Sequence, residues 1–238
     1  MRAFEVFFSA LTSLVLFCGA PAQAREANFV SPDQLGLAAM LPDPPADGAD
    51  ATKAELAELH RLEGARTEAE IASARFDEEN ENIFAFKSVL GDSFTMENLP
   101  LTAALGVRVK NDEGLDTALA KAAFHRVRPY NFDKTLHPVC KTKDKADAYP
   151  SGHATSGYLF ALTLVDMVPE KREQLLARAS DYAHNRLICG VHYASDLEAS
   201  KLAAYALHAQ MSLSAQYRSE LAAARAELRQ KLGFEPAR

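Results

Sequence analysis

Residues 149–167 read Tyr-Pro-Ser-Gly-His-Ala-Thr-Ser-Gly-Tyr-Leu-Phe-Ala-Leu-Thr-Leu-Val-Asp-Met. A loop turns into a helix at Gly152, and the helical pattern runs to Met167 with Leu159, Leu162 and Leu164 as core positions. At such a start the backbone N–H groups around Ser151 to His153 have no intrahelical partners, which makes a natural anion site. Gly152 lets a ligand approach the backbone closely, Ser151 adds a hydroxyl donor, and His153 adds a group that exchanges protons near neutral pH. An ordinary capped helix start reads the same way in isolation, so the surrounding chain has to decide.

On both sides helical signals dominate and convincing strands are absent. Leu56, Leu59 and Leu62 repeat at helical spacing and stop near Gly64, and Thr67 with Glu70 forms a capping box. Ile83, Phe86, Val89 and Leu90 make another stripe, ended by Gly91. Pro100 starts a short helix, and a second from Leu115 to Val127 must stop at Pro129. A loop follows to Tyr149. Beyond Met167 a helix is predicted from Pro169 to about Ile188, another from a Ser195–Glu198 capping box to about Met211, and an alanine-rich one over roughly 215–232. Residues 25 to about 50, rich in Pro, Ala and Asp, read as extended. Neither repeat nor linker appears, so residues 25–238 are expected to form one all-α domain, a single-domain helical bundle.

The bulk numbers agree. The chain has 238 residues, 48% hydrophobic and 24% charged, with a net charge of −6. That is globular composition, and the acidic balance excludes recruitment of nucleic acid polymers or anionic membrane by the protein as a whole. Arg2, the apolar run Phe7–Cys18 and the small residues Ala22-Gln23-Ala24 read as a secretory signal peptide over residues 1–24, cleaved near Ala24. The expected location is then periplasmic or secreted, and no later segment is apolar enough for stable membrane insertion. Loss of Cys18 leaves Cys140 and Cys189, which in an oxidising compartment are expected to pair.

Two further segments carry unusual chemistry. In Lys121-Ala-Ala-Phe-His-Arg-Val-Arg128-Pro129, Lys121 and Arg128 lie seven apart, so on one helix they would share a face and clamp an anion. A solvated basic face is the competing reading. In Asn185-Arg186-Leu-Ile-Cys189-Gly-Val-His192-Tyr-Ala-Ser-Asp196, a carboxylate four residues after His192 can fix its tautomer and leave the other ring nitrogen nucleophilic. A lone His/Asp pair is more often structural. Arg186 adds a planar fork suited to phosphate.

In order, these segments resemble the type-2 phosphatidic-acid phosphatase (PAP2) superfamily, whose pattern is Lys-x6-Arg-Pro, Pro-Ser-Gly-His and Ser-Arg-x5-His-x3-Asp. Lys121, Arg128-Pro129, Pro150-Ser151-Gly152-His153, Arg186, His192 and Asp196 fall in register. Within it the chain is similar to the bacterial class A nonspecific acid phosphatases, through Leu41-Pro-Asp-Pro-Pro, Tyr149, Arg186-Leu-Ile-Cys-Gly-Val-His192 and both cysteine positions. Asn185 replaces the family's usual Ser, from which altered tuning and not loss of activity is expected.

The resemblance implies a fold of the PAP2/haloperoxidase type and metal-free hydrolysis of small-molecule phosphate monoesters. It implies phosphate binding by Lys121, Arg128, Arg186, Ser151 and Gly152, attack by His192 with Asp196 orienting it, and proton transfer by His153. No cofactor or metal is expected. Tyr130, Phe132, Tyr149 and Tyr193 are candidates to shape the leaving-group pocket, and His125 and Arg126 to line its entrance. His60, His184 and His208 read as surface or structural, and His137 has no role. A homo-oligomer is compatible with the C-terminal helix. The rivals are a vanadium-dependent haloperoxidase, a phospholipid or isoprenoid-diphosphate phosphatase, and a phosphate-binding module without turnover.

Overall fold

The computed structural model describes residues 26–235; the secretory leader expected over residues 1–24, with Cys18 and the cleavage point at Ala24, lies outside them. Every regular element among the described residues is helical. Two four-residue helices, α1 (Pro32–Leu35) and α2 (Leu37–Met40), stand where the sequence predicts extended chain, joined at Gly36 with φ of 61°. A residue without Cβ accepts that left-handed turn at no steric cost. The segment ahead of them is held by Asp112, whose carboxylate accepts the N–H groups of Asn28, Phe29 and Val30 at 2.7, 2.7 and 3.1 Å. Next come α3 (Asp50–Ala65) and α4 (Glu68–Glu79), the latter opened by the expected Thr67–Glu70 capping box. A 3-10 turn over Ile83–Phe86 leads into α5 (Lys87–Leu90).

The region expected to hold two helices is one, α6 (Pro100–Phe124), 25 residues long. Gly106 and Gly114 weaken the periodic signal, but Gly106 serves close contact: a Cβ there would stand 2.8 Å from Ile83 Cγ2. The Glu227 carboxylate accepts the first-turn N–H groups of Leu101 and Thr102, both at 3.0 Å, satisfying donors that the helix itself cannot. The helix ends earlier than the expected Val127, because His125 adopts φ of 48° at its C-cap. Arg128 is therefore not on the helix with Lys121. It sits extended (φ −68°, ψ 147°), as a residue before proline prefers, ahead of α7 (Pro129–Phe132).

Then follow α8 (Gly152–Met167), a 3-10 turn over Pro169–Lys171, α9 (Arg172–Ile188), α10 (Ala194–Met211) and α11 (Ala215–Leu232). The expected Ser195–Glu198 box does not form. Instead the Asp196 carboxylate accepts the Tyr193 N–H at 2.9 Å, while the Ser195 hydroxyl oxygen accepts from Arg126 at 2.7 Å.

The centre of the bundle is α8, buried without a break from Ala154 to Val165. A helix apolar on every side belongs inside, and this one is enclosed chiefly by α9 and α10, with α6 and α11 completing the sheath. The C-terminal α11 packs internally through Tyr217, Ala224 and Leu228. The disulfide Cys140–Cys189 ties the long loop to the end of α9, three residues before His192. No helix among the described residues is long and apolar enough to cross a membrane.

Close approach of α8 to α9 depends on Gly157, where an added Cβ would stand 2.6 Å from Tyr182 Cδ1. Tyr182 cannot swing aside easily, since it is buried and its hydroxyl donates to the Asp77 carbonyl at 2.9 Å. Overpacking costs ~1–3 kcal/mol, and the better helix propensity of alanine returns about 1 kcal/mol. Gly157→Ala is expected to lower the urea midpoint, and an unchanged or raised midpoint would show that the interface can relax.

Candidate active site

Four helix ends converge on one cavity of about 370 Å³. The C-terminus of α6 brings Lys121, the N-terminus of α8 brings Gly152 and His153, the C-terminus of α9 brings Arg186, and the turn before α10 brings His192. Arg128 joins them from the short linker before α7. The polarity of the ends suits an anion: free N–H groups at the α8 start, cationic side chains at the α6 and α9 ends.

His192 is 2% exposed. Its Nδ1 lies 3.1 Å from Asp196 Oδ2, and its Nε2 lies 3.2 Å from Arg128 Nη1. A guanidinium nitrogen only donates, so Nε2 is the acceptor and Nδ1 carries the proton given to Asp196. The lone pair of Nε2 thus faces the cationic cavity. Burial, then the charges of Arg128, Lys121 and Arg186, holds the His192 imidazole well below its usual range, in its neutral form. Burial pushes the Asp196 carboxyl up to about 6, with Arg126 opposing.

The cations are positioned by groups that nothing in the sequence marks. The Lys121 ammonium donates to the carbonyls of Asp147 and Pro150, both at 2.6 Å. Arg128 Nε donates to Asp147 Oδ1 at 2.6 Å, and its Nη1 to the Val191 carbonyl at 3.1 Å. One loop residue, Asp147, therefore fixes both cations of the first motif. Burial, then repulsion by Arg128, lowers Lys121 to about 8. Arg186 is 3% exposed; its Nη2 lies 3.4 Å from Glu78 Oε1, and its Nε is buried without a partner. A buried donor with no acceptor calls for one, and an anion's oxygen supplies it.

His153 Nε2 faces the Glu78 carbonyl at 3.3 Å and Glu81 Oε2 at 3.5 Å. Burial and then the Arg186 charge push its imidazole down to about 3, with Glu81 opposing. Ser151 is fully buried, and its hydroxyl oxygen accepts the Ala154 N–H at 3.3 Å as the α8 cap, which leaves the O–H proton to donate. Beside His153 lies a second charged group missed from sequence: Lys110 bridges Glu81 at 2.9 Å and Glu113 at 2.5 Å. Burial opposes the Lys110 charge, but the two carboxylates outweigh it and raise its pKa.

Several expectations are corrected. Arg126 is not at the entrance: it is buried behind Asp196, donating to Asp196 Oδ1 at 2.6 Å and Glu55 Oε2 at 2.9 Å, with its guanidinium 4.0 Å over the Tyr193 ring. His125 is exposed and lines no part of the cavity. The four aromatics also lie elsewhere. Tyr149 packs on Phe124 with its hydroxyl on the Pro42 carbonyl, Tyr193 lies under Arg126, Tyr130 holds the backbone of Lys143, and Phe132 faces outward. Asn185 points away from the cavity, donating to Asp77 Oδ2 at 2.7 Å and so linking α9 to α4. Among the other histidines, His60, His137 and His208 pair with Asp133, Glu63 and Asp166, outside the cavity. Among the described residues no group of three or more His, Cys, Asp or Glu side chains is placed to hold a metal ion.

Comparison with known proteins converges on the same residues. A model of the PAP2 superfamily matches residues 100–220, which include every residue of the three motifs. A non-specific acid phosphatase of Providencia stuartii is 32% identical over 149 residues, covering 60% of this chain and 59% of that protein. An acid phosphatase of Zymomonas mobilis is 34% identical over 143 residues, covering 58% and 53%, and a non-specific acid phosphatase of Salmonella typhimurium is 33% identical over 120 residues, covering 48% and 47%. The chain thus spans about half to three fifths of the length of the curated relatives it matches. Among solved structures, a transmembrane PAP2-type phosphatidylglycerolphosphate phosphatase from Bacillus subtilis aligns over 76% of this chain and 94% of that one, at 18% identity and a TM-score of 0.48, too loose a likeness to carry argument.

Proposed function

The chain belongs to the PAP2 superfamily, and from that membership and the cavity geometry we propose that it is a nonspecific acid phosphatase working through a phosphohistidine on His192. The observation that carries the reading is the Nε2 lone pair of His192, held toward three cations by Asp196 behind it. The curated relatives named acid phosphatases support the same chemistry.

In the proposed reaction the ester phosphate sits between Lys121, Arg128 and Arg186, with the N–H groups of Gly152 and His153 and the Ser151 hydroxyl completing the cradle. Nε2 attacks phosphorus as the bond to the ester oxygen breaks, and His153 gives its proton to the leaving alcohol. The imidazolium that develops is stabilised by Asp196. Water then attacks phosphorus and passes a proton to His153. The N–P bond breaks, and one alcohol and one inorganic phosphate leave for each water consumed. The cationic shell supplies the charge stabilisation that phosphoryl transfer demands, so no metal ion is required in this scheme. The Cys140–Cys189 disulfide supports an exported protein, in keeping with a leader over residues 1–24.

Two titrations limit the rate at high pH. His153 must be protonated to act as an acid; it is neutral in the empty cavity, and a bound phosphate dianion favours its charged form. Lys121, lowered to about 8 in the empty cavity, loses its charge above that pH and with it part of the free enzyme's hold on an incoming dianion. The test is hydrolysis of p-nitrophenyl phosphate in excess EDTA across pH 4–9, with an alkaline quench to trap the acid-labile phosphoenzyme. Activity that survives chelation, falls above pH 8 and leaves phosphohistidine on His192 is expected. A rate still rising above pH 8, or loss of activity with EDTA, would contradict the scheme.

A further inference from the structure

Six cations and four carboxylates line the cavity. Lys110 serves Glu81 and Glu113, Arg128 serves Asp147, and Arg186 serves Glu78. Among the described residues three of these cations remain without a carboxylate: Lys121, deep in the cradle on two carbonyls, and Lys141 and Lys143, exposed on the loop at the rim. Among the described residues neither rim ammonium has a hydrogen-bond or ion-pair partner. Their backbones, in contrast, are pinned. The Lys141 N–H donates to the Glu78 carboxylate at 3.0 Å, the Lys143 N–H donates to the Tyr130 hydroxyl at 2.6 Å, and Asn131 holds the Lys143 carbonyl at 2.9 Å. The disulfide at Cys140 anchors the same stretch.

We propose that Lys141 and Lys143 form a second anion subsite, so that the preferred substrates carry a further phosphate on the leaving alcohol. This rests on the phosphatase reading above. One phosphoryl group is satisfied by the cradle, which leaves two positive charges facing the space a leaving group must cross. Their fixed backbones and free ammonium groups present a ready pair of point charges, matched to a compact dianion. Glu81 and Glu113, which also line the cavity, share the single charge of Lys110, so the surplus of positive charge at the rim lies with the two loop lysines. Cleavage is unchanged: one P–O bond of the bisphosphate is hydrolysed and the other phosphate leaves with the alcohol.

The test compares adenosine 3′,5′-bisphosphate with adenosine 5′-monophosphate, for wild type, Lys141→Gln/Lys143→Gln and Lys145→Gln. Lys145 is an exposed lysine of the same loop that does not line the cavity. In wild type, kcat/KM is expected to favour the bisphosphate about tenfold, the size that two partly screened charge pairs allow. The double variant should bring that ratio close to one while keeping kcat on the monophosphate, and Lys145→Gln should change nothing. A wild-type ratio of one would overturn the subsite. So would an equal loss on both substrates in the double variant, matched by Lys145→Gln, which is diffusional steering and no more. If wild type releases phosphate from neither substrate, the phosphatase reading fails. The subsite is then judged by equilibrium binding, where the same tenfold preference and its loss in the double variant are expected and equal affinities would refute it.

Discussion

His192→Ala is expected to abolish hydrolysis of p-nitrophenyl phosphate, lowering kcat on the order of 10⁴-fold or more, as loss of a covalent nucleophile does elsewhere. No other cavity group can take its place. Lys121 is protonated at working pH, with its ammonium donating to two carbonyls. His153 has its Nε2 engaged by the Glu78 carbonyl and Glu81. The substitution leaves the cationic cradle in place, so inorganic phosphate should still bind and still raise the melting temperature. Bound phosphate without turnover separates loss of the nucleophile from loss of the fold. Wild-type turnover in the variant would refute the mechanism at its centre.

The second large effect concerns a residue that touches no substrate. Arg126→Ala removes the only Lys or Arg among the described residues that pairs with Asp196, leaving Asp196 buried and Glu55 partly buried without it. Breaking a buried ion pair by deleting one partner costs about 3–5 kcal/mol, so a lower melting temperature is expected. A purely structural role would predict that and nothing more. The positioning role predicts a change in pH dependence. Burial already holds the Asp196 carboxyl up at about 6, and Arg126 is the strongest opposing charge. Without Arg126 the carboxyl rises further and is neutral at mildly acid pH. A neutral carboxyl no longer stabilises a positive His192, so activity is lost where the carboxyl is protonated, on the acid side. The acid limb of kcat/KM should move up by about one pH unit, with a loss of roughly tenfold at pH 5 that shrinks toward neutral pH. Arg126→Lys, which returns the charge without the fork, should restore part of the acid limb. An unmoved limb in a folded variant would reduce Arg126 to scaffolding.

These two residues mark how far the sequence could be read. His192 was legible because a histidine, its carboxylate partner and three cations lie at fixed short spacings in three segments. Arg126 lies inside one of those segments, but its partners, Glu55 and Asp196, stand 71 and 70 residues away along the chain, a distance no local pattern reports. Asp147 was missed for the same reason: it holds Lys121 through a carbonyl and Arg128 through a carboxylate, and neither contact has a sequence period. The all-α architecture was readable because apolar residues recur at helical spacing. The boundaries that failed depended on single backbone angles. His125 at φ 48° ended α6 early and set Arg128 free of it, while the short helix expected from Pro100 runs on unbroken past Gly106, where Ile83 nests against it. Expecting aromatics at the pocket failed because Tyr149 and Tyr193 are more valuable to stability inside, where each buries a large ring.

The long loop is fastened at both ends of its cationic stretch, by the disulfide at Cys140 and by the contacts that Asp147 makes with Lys121 and Arg128. Between those fasteners, residues 141–146 are exposed and contribute none of the groups that hold His192, Asp196 or His153. On the proposed mechanism and subsite, reaction and selectivity are thus written on different stretches of chain. The first is locked into converging helix ends, where almost any change is felt. The second occupies a short surface span that can be rewritten alone, so that a library confined to it would sample new leaving groups while the hydrolytic apparatus stays intact.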